Sequence, residues 1–516
     1  MFTTRRWGRG AVLATVCLAA FAINLDTTIV NVALADLGRQ LPATTRDLQW
    51  IVDGYNLAFA ALVLTAGSLG DRFGRRPALL VGLLGFAAMS GVGAAMSSPG
   101  ALITVRVLMG AFAALIFPTT LSVITNTFPD RAERAKAIGV WGAVTGMGVA
   151  VGPVTGGLLL SHFGWPSVFL ALVPVALLAA AMTFAFVPES REPDQARLDP
   201  AGLGLSSAAI GVLVYTFIEA PGRGWGSTAT VAGFVGAALL AVAFIAAERR
   251  VARRGGQPML DVTLFRTPAF SAASGAVTVA FFALFGFIFL VTQYFQFVRG
   301  YGTLSTGTRI VPVAVSIAVG SVAGAILAGR LGTRIIVVTG LLMFGTSFGW
   351  IALSATFMPY SEIVFQMVLM GLGLGLTTTP ATESILSVLP PAKAGVGSAV
   401  NDATREAGGT LGVAVIGSVF TSLYANHLND TGFANLPHGA LSAARSSVAA
   451  AYGIAGDTRS ASLLEGANSA FMNGMHIACL VAAGVCWVGA IGALALPGKR
   501  RDEPIAEVGE KVLVAA

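Results

Sequence analysis

Asp26 sits in Leu25-Asp26-Thr27-Thr28-Ile29-Val30-Asn31, near the middle of an apolar run that begins after Arg9 and continues through Val32. An ionisable group at bilayer depth is costly unless it is paired or functional. Low dielectric penalises the charged form of a carboxyl, so Asp26 is placed to load and release a proton. The simpler alternative is a carboxylate that only tethers a neighbouring helix. Arg106, early in a later apolar run, is the obvious counter-ion; a guanidinium keeps its proton, so its part would be electrostatic tuning rather than proton carriage. A second group, Asn401-Asp402-Ala403-Thr404-Arg405-Glu406, directly precedes Ala407-Gly408-Gly409-Thr410-Leu411-Gly412. On a helix Asp402, Arg405 and Glu406 share one side, which fits either a coupling or gating cluster or a self-neutralised patch.

Other polar residues inside apolar runs form a substrate-lining set: Asn31, Tyr55, Asn56, Glu219, Gln293, Tyr294, Gln296 and Glu383. Glu219 and Glu383 stand nearer the ends of their runs, where a solvated structural carboxylate is the simpler reading. Gln293, Tyr294 and Gln296 bring amides and a phenol to a Phe-rich run, a surface suited to amphipathic ligands or to an interfacial belt. Asp53, beside Trp50 and Tyr55, reads as an interfacial helix-start residue. Gly148, Gly152, Pro153, Gly156 and Gly157 offer a smooth face for close helix contact, with a proline bend in it.

The elements that must hold these residues are membrane helices. The chain is 55% hydrophobic and 11% charged, against about 25% charged in soluble domains. Apolar runs of spanning length recur almost end to end, and the first is expected to be a retained helix rather than a removable signal. The net charge of +7 is spread between the runs, which argues against nucleic acid as a partner. Cys17, Cys479 and Cys486 lie in apolar runs, and the four histidines lack metal-ligand spacing, so neither a disulfide framework nor a metal is expected. No Gly-x-x-x-x-Gly-Lys-Ser/Thr loop is present for ATP. No catalytic cluster stands at a membrane face, which disfavours an integral-membrane transferase.

Apolar periodicity against Pro, Gly and charge breaks predicts fourteen transmembrane helices, centred from Ala22 to Ala483. The arginine and lysine bias between alternate turns then puts both termini in the cytoplasm. The expected organisation is an all-α integral membrane protein with a six-helix bundle over 1–187 and a linker with two extra helices over 188–267. A second six-helix bundle follows over 268–496, and then a cytoplasmic tail, 497–516. The turn Gly67-Ser68-Leu69-Gly70-Asp71-Arg72-Phe73-Gly74-Arg75-Arg76 recurs weakly at Ala325–Arg334, with Gly329 where Asp71 stands. Such repeats are the usual architecture of alternating-access transporters. The stretch 425–470, rich in Ala, Ser and Asn, is expected as an outside loop.

Together these segments resemble the major facilitator superfamily, specifically its fourteen-helix drug/proton antiporter branch (EmrB/QacA-like). Gly67, Asp71, Arg72, Gly74, Arg75 and Arg76 fall on the signature loop of that superfamily, a conformational gate. Leu102, Arg106 and Gly110 match its helix-4 motif, and Gly148, Gly152, Pro153, Gly156 and Gly157 match the antiporter motif. Two departures stand out: Gly164-Trp165-Pro166-Ser167 and Ala171-Leu172-Val173-Pro174 replace typical runs, and the second-half loop lacks its acid. The resemblance implies a monomeric, non-enzymatic multi-pass exporter in the cell membrane. It would exchange small amphipathic compounds for protons without a cofactor. The alternative within transport is a dedicated exporter of one metabolite or self-made antibiotic.

Overall fold

A computed structural model describes residues 6–41, 43–190, 199–256, 258, 262–387, 394–429 and 431–498. It contains seventeen α-helices and, among the described residues, twelve helices long and apolar enough to cross a membrane. In lipid a helix satisfies every backbone group internally, and the chain is helical almost throughout.

The first bundle comprises α1 (Arg6–Gln40), α2 (Thr45–Phe73), α3 (Arg75–Ala94), α4 (Pro99–Thr127), α5 (Arg131–Phe163), α6 (Pro166–Leu170) and α7 (Leu172–Phe186). After Gly164 the short α6 bends into α7 at Ala171. A middle pair follows, α8 (Pro200–Arg223) and α9 (Thr228–Arg253). The second bundle is α10 (Pro268–Gln293), α11 (Thr303–Leu331), α12 (Thr333–Ala352), α13 (Tyr360–Ser387), α14 (Ala394–Leu428) and α17 (Ala461–Gly492). Helix starts follow local chemistry. Thr44 and Asp47 form a capping box at α2, while Ser98, Asp199 and Ser227 cap α4, α8 and α9.

The two bundles repeat one packing scheme. α1 lies on α5 as α10 lies on α14, α2 crosses α4 as α11 crosses α13, and α3 packs on α4 and α7 as α12 packs on α13 and α17. The bundles meet through α5 against α11 and α2 against α14. α8 straddles the α2–α14 seam, and α9 rests almost entirely on α8.

The 425–470 stretch is more ordered than a loop. It extends α14 to Leu428, forms α15 (His438–Ser446) and α16 (Val448–Asp457), and starts α17 at Ala461. α16 packs on both α1 and α17, so this hairpin touches both bundles. The Tyr452 hydroxyl donates to Asn468 at 2.7 Å, and burial pushes its ionisation up, so it stays a donor.

Candidate functional site

Three helices build the first site. α4 crosses α2 where Gly110 lies against the Tyr55 carbonyl, an approach that any side chain at 110 would block. That crossing brings Arg106, one turn earlier, onto α2, where its Nε donates to the Ile51 carbonyl at 3.0 Å. Its Nη1 donates to both Asp26 oxygens, at 2.8 and 2.7 Å. The guanidinium carbon sits 4.3 Å from the centre of the Tyr55 ring. Asp26 is 0% and Arg106 1% exposed. Buried charges persist only when paired and hydrogen-bonded, and this pair has a carboxylate, a carbonyl and an aromatic face around one cation.

α5 supports Asp26 from behind. Gly148 packs on Phe21 and Asn24, Gly152 on Thr28, and Gly156 on Ile29, so a glycine face follows α1 on both sides of Asp26. The Thr28 hydroxyl donates to the Gly148 carbonyl at 3.5 Å. The adjoining face of α5 meets the other bundle: Gly307 of α11 abuts the Pro153 carbonyl, and Thr303 Oγ1 donates to the Gly157 carbonyl at 3.3 Å. α5 is therefore a smooth spacer between the helix of Asp26 and the second bundle.

The second site lies on α14. Arg405 Nη1 is 4.0 Å from Asp402 Oδ1, and Asn401 Nδ2 donates to the same oxygen at 3.4 Å. Asp402 Oδ2 is buried without a partner. The Arg405 guanidinium lies 4.5 Å from the Phe281 ring of α10 and 6.0 Å from the Phe117 ring of α4, so it faces across the bundle boundary. Glu406 follows on the same helix and is half-buried. The Asp26–Arg106 pair and the α14 cluster are thus two groups on opposite bundles.

Of the expected lining residues, Tyr55 is part of the first site. Asn56 is buried with neither amide atom bonded, and Asn31 donates to the Thr27 carbonyl at 2.7 Å but leaves its own oxygen unbonded. The bonding of the other five places them as follows. Gln293 donates to the Phe289 carbonyl at 3.0 Å, inside its own helix, and Tyr294 to the Thr356 carbonyl at 2.8 Å. Gln296, in the π turn Tyr294–Val298, reaches across to the Val32 carbonyl of α1 at 2.9 Å. Tyr294 and Gln296 thus tie separate segments together, while the amide oxygens of Gln293 and Gln296 are buried without a partner. Glu219 pairs with Arg46 at 3.3 Å and Arg223 at 3.6 Å, clamping α8 to the start of α2. Glu383 is exposed near the end of α13.

One residue was misread. Asp53 lies more than two turns inside α2, is 0% exposed, and neither carboxylate oxygen is bonded. Trp50 and Tyr55 suggested a membrane boundary, yet Trp50 packs on Tyr215 of α8 and Tyr55 on Arg106. The available signal was spacing: Gln49, Asp53 and Asn56 form one polar helix face, and Gln49 Nε2 donates to the Val413 carbonyl of α14 at 3.4 Å.

At the gate, only Gly74 separates α2 from α3, with φ 108°, a backbone conformation that favours glycine. The Arg75 amide donates to the Ser190 carbonyl at 3.0 Å, and Arg76 donates to the Phe184 carbonyl while lying over its ring. Gly67 and the side chains of Asp71 and Arg72 lie outside the described residues. The second-half turn copies this arrangement. Gly332 has φ 92°, and Arg334 donates from its amide to the Pro497 carbonyl at 3.2 Å and from Nε to the Leu496 carbonyl at 2.7 Å.

Two similarly packed six-helix bundles with paired gate turns suggest a known transporter architecture, and the comparison decides it. The model of the Major Facilitator Superfamily matches residues 16–413. The chain belongs to the Major Facilitator Superfamily. It is a multi-pass membrane transporter, not an enzyme. Among its relatives in the superfamily is the multidrug efflux pump LfrA of Mycolicibacterium smegmatis, 35% identical over 93% of this chain and 94% of that one. The tetracenomycin C resistance and export protein of Streptomyces glaucescens is 36% identical over 98% and 94%. The puromycin resistance protein pur8 of Streptomyces alboniger is 35% identical over 83% and 84%. Among solved structures, a bacterial homologue of the human lysosomal transporter Spinster, inward-facing and occupied, has a TM-score of 0.68 at 17% identity, covering 95% of this chain and 97% of that one. That likeness supports the superfamily fold.

Proposed function

We propose that this chain is a proton-coupled antiporter of the fourteen-helix drug-exporter branch. It would export small amphipathic compounds through the cell membrane with both termini in the cytoplasm. The count of fourteen adds α2 and α5, 29 and 33 residues long, to the twelve helices with spanning composition. The observation that carries the coupling is the Asp26–Arg106 pair, held against the glycine face of α5.

In this cycle ionised Asp26 holds Arg106 between α1 and α4. A proton on Asp26 removes the charge attraction and leaves Arg106 with the Ile51 carbonyl and the Tyr55 ring. The α1 face then shifts on the glycines of α5, and α5 carries the shift to α11. Substrate favours the ionised state and proton the other, so each ligand changes the affinity for its rival. Outward opening requires release of Gln296 from Val32, Gln49 from Val413 and Thr303 from Gly157, which join the bundles in the half of the molecule away from the termini.

The test is efflux of a fluorescent cationic dye from vesicles containing the purified protein under an imposed pH gradient. Dye movement against its own gradient, abolished by collapsing the proton gradient, is expected; movement indifferent to it refutes the coupling. Relatives named for resistance to tetracenomycin C and puromycin favour a second reading, export of a single antibiotic. A panel of chemically unrelated substrates separates the two, because a dedicated exporter moves one member only.

A further inference from the structure

We infer that the end of the molecule carrying the termini holds a docking site for an anionic phospholipid. The acyl chain would occupy a groove between α10 and α17, and the headgroup would lie on an arginine cluster beside it. The groove measures about 480 Å³ and is lined by small and apolar residues, among them Ser271, Ala272 and Gly275 of α10 and Gly484, Val488 and Gly492 of α17. Neither Asp26 nor a residue of α14 lines it, so neither proposed transport site uses it. Nothing lies within 4 Å of a side-chain carbon built on Gly275, Gly484 or Gly492, which leaves the space free for a hydrocarbon chain.

The charge complement adjoins it. Arg249, Arg250, Arg253 and Arg254 end α9, all are exposed, and among the described residues none has an acidic partner. The 3-10 turn Val262–Arg266 packs on both α9 and α10 and adds exposed Arg266. Ser271, at the mouth of the groove, donates to the Phe265 carbonyl of that turn, so arginines and groove share one neighbourhood. The rest of α9 turns Val231, Val235, Leu239 and Val242 outward, which places the cluster at the lipid boundary. A polybasic segment at the end of a membrane helix attracts anionic headgroups, and a single acyl chain in an adjacent groove adds the apolar half of one amphipathic ligand.

The experiment is native mass spectrometry of the full-length protein, titrated with phosphatidylglycerol and, separately, phosphatidylcholine. The wild type is expected to bind phosphatidylglycerol about tenfold more tightly than phosphatidylcholine. R253Q/R254Q should weaken phosphatidylglycerol by about fivefold in all and leave phosphatidylcholine unchanged. G484L extends into the groove from a position whose Cβ would meet nothing within 4 Å and should weaken both lipids, with elution as a monodisperse species confirming the fold. Equal affinity of the wild type for the two lipids overturns the proposal. So does undiminished lipid binding by G484L, or a lipid-free dimer that G484L dissociates, which would make the occupant a second copy.

Discussion

The two bundles share a packing scheme but keep their charges differently. In the first, Gly110 of α4 meets the Tyr55 carbonyl of α2, and one turn earlier Arg106 spans to Asp26 of α1. In the second, Gly371 of α13 meets the Val313 carbonyl of α11 in the same manner, and one turn earlier stands Met367, buried and apolar. The side of α1 that packs on α5, behind Asp26, is matched on α10 by Thr278 and Phe282, which lie against Gly408 and Gly412 of α14. The second bundle instead gathers Asp402, Arg405 and Glu406 on one helix, where neighbours in sequence balance one another. A charge pair that bridges three helices reports their relative positions, whereas a cluster on one helix travels with it. One scaffold thus carries a position-sensitive site in one half and a local one in the other.

The largest effects should come from converting the first bundle to the second. Arg106→Met leaves Asp26 buried without its partner and should cost about 3–5 kcal/mol of stability, read by denaturation in detergent. Asp26→Asn should reduce gradient-driven efflux to background while the protein still inserts. The double variant Asp26→Asn/Arg106→Met should recover most of the lost stability, since a neutral pair replaces a charged one, but no transport. Recovery of transport in the double variant would dismiss the pair as structural.

An intermediate effect is expected where both halves use glycine contact. Gly152→Ala meets Thr28, and Gly412→Ala meets the Phe282 carbonyl. Each should lose ~1–3 kcal/mol by overpacking, yet only Gly152→Ala should also alter the pH dependence of efflux. Identical transport profiles for the two would mean that α5 is packing alone.

The smallest effect belongs to the local cluster. Asp402 and Arg405 meet only at 4.0 Å and Asp402 Oδ2 is already without a partner, so Asp402→Asn should shift stability by about 1 kcal/mol. Its efflux defect should be several-fold smaller than that of Asp26→Asn and greater for cationic than for neutral substrates. A complete loss for every substrate would place the principal coupling site in the second bundle.

The sequence made the expensive residues visible and left their partners hidden. Asp26 and Arg106 stand out because charges in apolar runs are rare, but they are 80 residues apart in the chain and their meeting depends on a helix crossing set by Gly110 and Tyr55. The antiporter glycines announced close contact without naming α1 and α11 as the helices contacted. Asp53 was misplaced because two aromatic neighbours imitate a boundary belt, when one of them stacks on α8 and the other on Arg106. Gln293, Tyr294 and Gln296 carry the composition of a binding surface, and the sequence did not show that they also donate to the carbonyls of Phe289, Thr356 and Val32. The twofold likeness of the gate turns was legible, whereas their attachment to Ser190 and Pro497 was not.

That attachment sets an order of events during synthesis. The Arg75 amide waits for the Ser190 carbonyl, and the Arg334 amide for that of Pro497. In each half the second turn is spelled out early in the chain and completed by residues translated more than a hundred positions later. Each bundle therefore carries a built-in record of its own completion: its signature turn reaches its final bonding only after the last helix of that half has threaded into the bilayer.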